Sequence, residues 1–191
     1  KSDYVDQEKE NQKRRIESRV NDKVQYAVER CLEEMCKGEP FEIYEYGSVD
    51  DLKAINSQNL YQHYKYILEQ LPIYVFISGD VDESRILKAV DKLSGIKRGN
   101  IKNIETGDVD KNVEKVKDIT EKMNVNQGKL SLGFRTNTHP TDKNYHALAV
   151  YNGILGGGIH SKLFQNVREK ESLAYYAFSR LEKYKGLMVV S

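Results

Sequence analysis

No apolar run in the sequence approaches the roughly 20 residues that a bilayer-spanning helix needs. The longest, Ile73 to Ser78, has the length of one strand. An excess of charge of one sign is also missing. The formal net charge is +1, so nothing implies nucleic acid or an anionic membrane surface as a partner. Tryptophan is absent beside thirteen tyrosines, and 31% of residues are charged, a soluble globular composition with a wet surface. Cysteine occurs twice, at Cys31 and Cys36, too seldom for a disulfide framework. The two stand five apart in a helical pattern. One buried and one exposed free thiol on different faces are therefore expected, which suits a reducing compartment. An initiator methionine and a signal peptide are lacking too. The chain opens on charged helical sequence and stops at Gly186 to Ser191 in a strand pattern, so a piece of a longer protein is expected. No short-period repeat is present.

The pattern that is there alternates helices and short strands. From Tyr4 to Lys37 apolar residues recur at three and four, through Ile16, Val20, Val24, Val28, Leu32 and Met35. Asn21-Asp22 interrupts them, with Asp22 placed to cap a second helix. Lys37-Gly38 and Pro40 end it. Short helices are predicted for Val49 to Ile55, for Gln58 to Gln70 with Ser57 as cap and Leu60, Tyr64, Ile67 and Leu68 inward, and for Asp82 to Leu93. Ile73 to Ser78 reads as a strand between them. The polar stretch 99–112 reads as a linker. Beyond it, 113–125 and 129–136 read as strands joined by a hairpin turn at Asn126-Gln127-Gly128. In the second, Ser131, Gly133 and Arg135 alternate with Leu130, Leu132 and Phe134. A helix over 142–155 then leads into three glycines.

The stretch Asn152 to Phe178 carries the most information. Gly156, Gly157 and Gly158 dispense with side chains, which permits close backbone approach. A short amphipathic helix follows, with Ser161 as its cap, then the charged knot Arg168 to Glu171. The apolar run Leu173 to Phe178 reads as a strand. Arg168 offers a fixed fork of donors and Tyr175 a hydroxyl on a rigid ring. A tight turn between them would aim both at one cleft. On spacing alone, Arg168 paired with Glu171 on the surface and Tyr175 half-buried in strand packing is the favoured reading. A phosphate loop at GGGIHSK is excluded because a helix precedes it and the Lys follows the Ser. His139 and His146 lack the neighbours a metal site needs.

GGGIHSKLFQNVREKESLAYYAFS resembles the matching segment of the M16 zinc peptidases, the insulinase and mitochondrial-processing-peptidase family, and EKENQKRRIE at Glu8 to Glu17 resembles another of its helices. The resemblance implies an α+β fold, antiparallel sheets flanked by helices. It implies that residues 1–98 are the back part of one domain, 99–112 a linker, and 113–191 the front part of a second, similar domain. It further implies that Arg168 and Tyr175 bind substrate and support the transition state, beside the glycine-rich loop Gly156, Gly157 and Gly158. Glu17 matches the third zinc-ligand position. The family's His-x-x-Glu-His helix is absent, however, and one carboxylate cannot hold zinc. No cofactor is therefore expected in this chain, and zinc is expected in a metal-bearing half or a partner.

The resemblance thus implies the peptide-binding half of a peptidase, not catalytic alone, working with a second M16 subunit. It is similar to the bacterial cytoplasmic pairs in which one member lacks the zinc motif. The alternative, drawn from the same resemblance, is a non-catalytic scaffold subunit of the core-protein type. Nucleic acid and membrane are not expected as partners.

Overall fold

A computed structural model of the chain describes residues 2–91, 95–104, 112–113 and 115–191. The predicted end of a helix at Leu93 and the linker residues Gly107 and Asp108 lie outside the described residues. The elements are α1 (Ser2–Ser18), α2 (Lys23–Met35), α3 (Val49–Ala54), α4 (Ser57–Gln70), α5 (Glu83–Asp91), β1 (Leu132–Arg135), α6 (Tyr145–Gly156), β2 (Ser179–Glu182) and β3 (Leu187–Val190). The fold is α+β, as expected. Two compact units are formed: Lys1–Lys13 with Ser48–Thr106, and Arg14–Gly47 with Gly107–Ser191.

The first unit is helical. Ser48 Oγ accepts the Asp51 N–H at 3.1 Å and starts α3. α4 begins one residue earlier than the sequence suggested, because Asn56 rather than Ser57 is the cap. The Asn56 side chain accepts from the Gln58 and Asn59 N–H groups while Asn59 accepts from the Asn56 N–H, a reciprocal box. Residues 98–102 close the other end of α4: the Gly99 and Lys102 N–H groups each bond at 2.8 Å to the Glu69 and Gln70 carbonyls. The Arg98 guanidinium adds a donor to the Leu71 carbonyl, a cation where the helix dipole favours one. Residues 73–78 form no ladder, contrary to the strand expected there. A strand needs a neighbour to take its backbone hydrogen bonds, and no described segment is paired with it.

The second unit holds the sheet, in the order β1-β3-β2 with both pairings antiparallel. The expected hairpin of 113–125 with 129–136 does not form. β1 pairs instead with β3, Gly133 opposite Val189 and Arg135 opposite Leu187. Segment 115–125 runs beside α2: Glu121 accepts from Arg30 at 2.7 Å and from Tyr26 at 2.9 Å, and Lys117 donates to the Glu34 carbonyl. Its charges find partners on a helix, so a ladder is not its only way to be satisfied. The expected strand 173–178 lies further along, at β2, with only Phe178 joining the sheet through a backbone pair to Ser191.

Because residues directly opposite in neighbouring strands share a face, Leu187 and Val189 lie on one face with Gly133 and Arg135. This face meets α2, giving a core of Val28, Leu32, Cys36, Leu187 and Val189. Asp22 caps α2 through the Val24 and Gln25 N–H groups, as its position suggested. The approach of α2 to β1 is close: a Cβ on Gly133 would lie 2.7 Å from the Met35 sulfur and 3.1 Å from that of Cys31. Cys36 lies in that core and the Cys31 sulfur faces Gly133 of β1, so both thiols turn toward the sheet and not to different faces. Both are free thiols, Cys36 buried and Cys31 half-buried. The Arg135 side chain, 5% exposed, pairs with that of Glu39, 8% exposed. It also donates to the Met35 carbonyl at 2.9 Å, at the end of α2.

Candidate functional site

The site is hung on the far side of that sheet. α6 packs on β2, and the contact is made where the glycines begin. A Cβ on Gly156 would stand 2.2 Å from the Ser179 backbone nitrogen and 2.6 Å from its hydroxyl, so only glycine lets these two backbones meet. Ser179 is buried there and donates to the Asn152 carbonyl at 3.2 Å. Gly157 is crowded by its own helix, with Gly153 Cα at 2.7 Å from a built Cβ, and Gly158 faces the His160 ring. The three glycines thus serve the turn out of α6 and the seating of β2.

Ser161 is fully buried. Its N–H donates to the Gly158 carbonyl at 3.0 Å, its hydroxyl accepts from the Phe164 N–H at 3.3 Å, and its carbonyl accepts from Gln165 at 2.9 Å. One small side chain thereby ties the glycine turn to the short helix Phe164–Lys170, in the capping role its position predicted. That helix is wound wide. The Glu171 N–H reaches back five residues to the Asn166 carbonyl and the Leu173 N–H six to that of Val167. Ser172 then takes a left-handed φ of 50°, which reverses the chain toward Leu173 and Tyr175.

Arg168 projects from this helix with its side chain 44% exposed. Its guanidinium carbon lies 4.5 Å from the Phe164 ring centroid, a stacking that fixes the fork without hiding it. Its ion partner is Glu169, at 3.7 Å, and not Glu171. Tyr175 is 79% exposed, outside any strand. The packed-strand reading of that ring does not hold; its neighbours Tyr176 and Phe178 pack instead, with ring centroids 5.9 Å apart. Gly156 to Gly158, Arg168 and Tyr175 are thus carried by one continuous device, while no hydrogen bond or ion pair joins Arg168 to Tyr175 among the described residues.

Glu17 lies exposed near the end of α1. Among the described residues no group of three His, Cys, Asp or Glu side chains converges on a point. A single exposed carboxylate does not meet zinc's need for three or four N, S or O ligands, so the residues present here do not fit that ion. No helix of the described residues is long and apolar enough to cross a membrane. The buried Arg135–Glu39 pair was not legible in the sequence. Its only signal is an arginine within an alternating strand, which ordinarily marks the solvent face.

Comparison with known proteins places this geometry. A sequence model described as "Peptidase M16 inactive domain" matches residues 54–191. The "Probable inactive metalloprotease YmfF" of Bacillus subtilis is 41% identical over 189 residues, covering 99% of this chain and 44% of that protein. Among solved structures, a conserved protein from Enterococcus faecalis V583 superposes over the whole chain with a TM-score of 0.89 at 33% identity, again covering only 45% of that protein. A peptidase M16 inactive domain from Pseudomonas fluorescens shares the fold, with a TM-score of 0.68 at 16% identity over 46% of its length. The chain spans less than half the length of these proteins. The match runs from α3 through the sheet to the last residue and takes in the glycine turn, Arg168 and Tyr175, and on it the chain belongs to the peptidase M16 inactive-domain family.

Proposed function

We propose that this chain is the peptide-clasping part of an M16-type peptidase and is not catalytic by itself. Residues 1–98 and 113–191 are, on this reading, portions of two similar domains joined at 99–112. Zinc and its activated water belong to a metal-bearing half or to a second M16 subunit, in the cytoplasm. The observation that carries the reading is the exposure of Arg168 and Tyr175 on a device whose supporting residues, Ser161, Gly156 and Ser179, are buried. A rigid base holds two open donor groups. The guanidinium supplies charge-assisted bonds to a peptide carbonyl or a terminal carboxylate. The phenol supplies a donor toward an oxygen that gains charge. Gly156, Gly157 and Gly158 give the clasp its tight turn. Stability gains nothing visible from leaving an Arg and a Tyr this open, so recognition is the better account of both.

The test uses the protein together with its metal-bearing half and a peptide substrate. Loss of an oxyanion donor costs roughly 3 kcal/mol, about 100-fold in rate. Tyr175→Phe removes one hydroxyl from an exposed ring, and Arg168→Lys keeps the charge but loses the fork. Both are expected to lower turnover at least roughly tenfold on that scale while unfolding midpoints stay in place. Unchanged turnover in both variants would favour the scaffold reading.

A further inference from the structure

Among the described residues, two that are not glycine hold a left-handed backbone, Asn137 and Ser172. Asparagine visits that region readily, because its short amide bonds locally. Serine has no such preference, and a φ of 50° brings its Cβ close to the neighbouring backbone. The Ser172 side chain is exposed, so burial gives nothing back for that strain. A strained residue persists where its surroundings over-determine it, and such residues cluster at sites that bind or react. Here the surroundings are two backbone bonds that straddle the serine. The Glu171 N–H bonds to the Asn166 carbonyl at 3.0 Å, and the Leu173 N–H to that of Val167 at 2.9 Å. In a common helix cap the residue after a left-handed one bonds back across the last turn. The π-wound helix Phe164–Lys170 stretches that reach to six residues. With a negative φ at Ser172 the chain would leave in another direction, and Leu173 could not return to Val167.

The chain is fixed again a few residues on. Phe178 exchanges both backbone bonds with Ser191, at 2.9 and 3.0 Å, and its ring meets that of Tyr176. Residues 173–177 are therefore slung between two anchors, with Tyr175 in the middle. Its ring is 79% exposed, so packing does little to hold it in place. The direction in which the chain leaves Ser172 then decides where the phenol stands. Arg168 lies before the turn and is steadied separately, by the Phe164 ring at 4.5 Å. We propose that Ser172 is a positioning residue of the clasp, whose left-handed turn brings Tyr175 back toward the peptide that Arg168 holds. This rests on the reading of Arg168 and Tyr175 as a peptide clasp. Because the phenol serves an oxygen that gains charge, misplacing it affects the transition state and leaves ground-state binding by Arg168 intact.

The test is steady-state kinetics on the full encoded protein with its metal-bearing half and a peptide substrate, beside thermal melts. Ser172→Pro locks φ at about −65° and cannot make the turn. Its kcat is expected to fall at least roughly tenfold, with KM unchanged. Added to Tyr175→Phe it should cost nothing further, since both changes remove one interaction. The conservative Ser172→Gly keeps the turn without strain and is expected to show the parent's kcat. If the proline variant does not fold, Ser172→Val takes its place, because a β-branched residue is an outlier at positive φ. Three results overturn the proposal while Tyr175→Phe is impaired: an unchanged kcat in the folded turn-breaking variant, a loss that adds in full to that of Tyr175→Phe, or an equal loss in Ser172→Gly. The last would assign the effect to the hydroxyl. Unchanged turnover in Tyr175→Phe itself removes the role of Tyr175 in the clasp, and this inference with it.

Discussion

Breaking the Arg135–Glu39 pair should strongly destabilise the sheet on which the glycine turn is seated. The guanidinium is 5% exposed and the carboxylate 8%, so neither charge can turn to water when its partner is lost. Arg135 also caps the last turn of α2 at the Met35 carbonyl, where a cation is favoured by the helix dipole. One deletion therefore removes an ion pair and a charged cap together. Removing one member of a buried pair costs about 3–5 kcal/mol because the other charge is left stranded. For a domain whose whole stability is about 5–15 kcal/mol, that is a large share. Glu39→Ala and Arg135→Met should each lower the urea midpoint steeply. The double variant should be closer to the parent than the sum of the two, because no charge remains buried. Far-UV circular dichroism is the readout, since the chain has no tryptophan to report. Single variants costing less than about 1 kcal/mol, or a double variant that simply adds their losses, would refute the reasoning, for then the pair is solvated like a surface bridge.

Gly156→Ala puts a methyl group 2.2 Å from the Ser179 nitrogen. It should part α6 from β2 and cost about 1–3 kcal/mol or more as an overpacked contact, whereas Ala at Gly153, which has open space around it, should be tolerated; thermal melts of the two compare them. The Cys36 thiol is pushed up from 9.0 to about 11 by burial and by the nearby Glu39 carboxylate. Its folded value lies above the unfolded one, so the stability it contributes is complete below about pH 9 and is lost as pH rises toward its folded value. Native protein at pH 8 should accordingly leave Cys36 unalkylated while urea exposes it, and labelling of Cys36 at the native rate of a free thiol would contradict its burial.

Local chemistry was legible in the sequence wherever a signal acts within a few residues. Asp22 caps α2 because a short oxygen-bearing side chain reaches N–H groups two or three positions on. Asn56 took the cap assigned to Ser57 for the same reason, by adjacency. The glycine turn and the Ser161 cap were legible on spacing, and the family followed from the residues quoted for it. Tertiary structure alone decided the pairings. Lys129 to Thr136 reads as half of a local hairpin, yet β1 lies beside β3, with Gly133 set close against Met35 and Cys31 of α2. The same placement inverts β1: Arg135 turns inward to Glu39, while Leu132 and Phe134 look out. No periodicity predicts that, because the partner that makes burial of a charge tolerable lies almost a hundred residues earlier in the chain. Ile73 to Ile77 shows the converse. Its sequence specifies a strand, but a strand exists only where another chain segment takes up its hydrogen bonds.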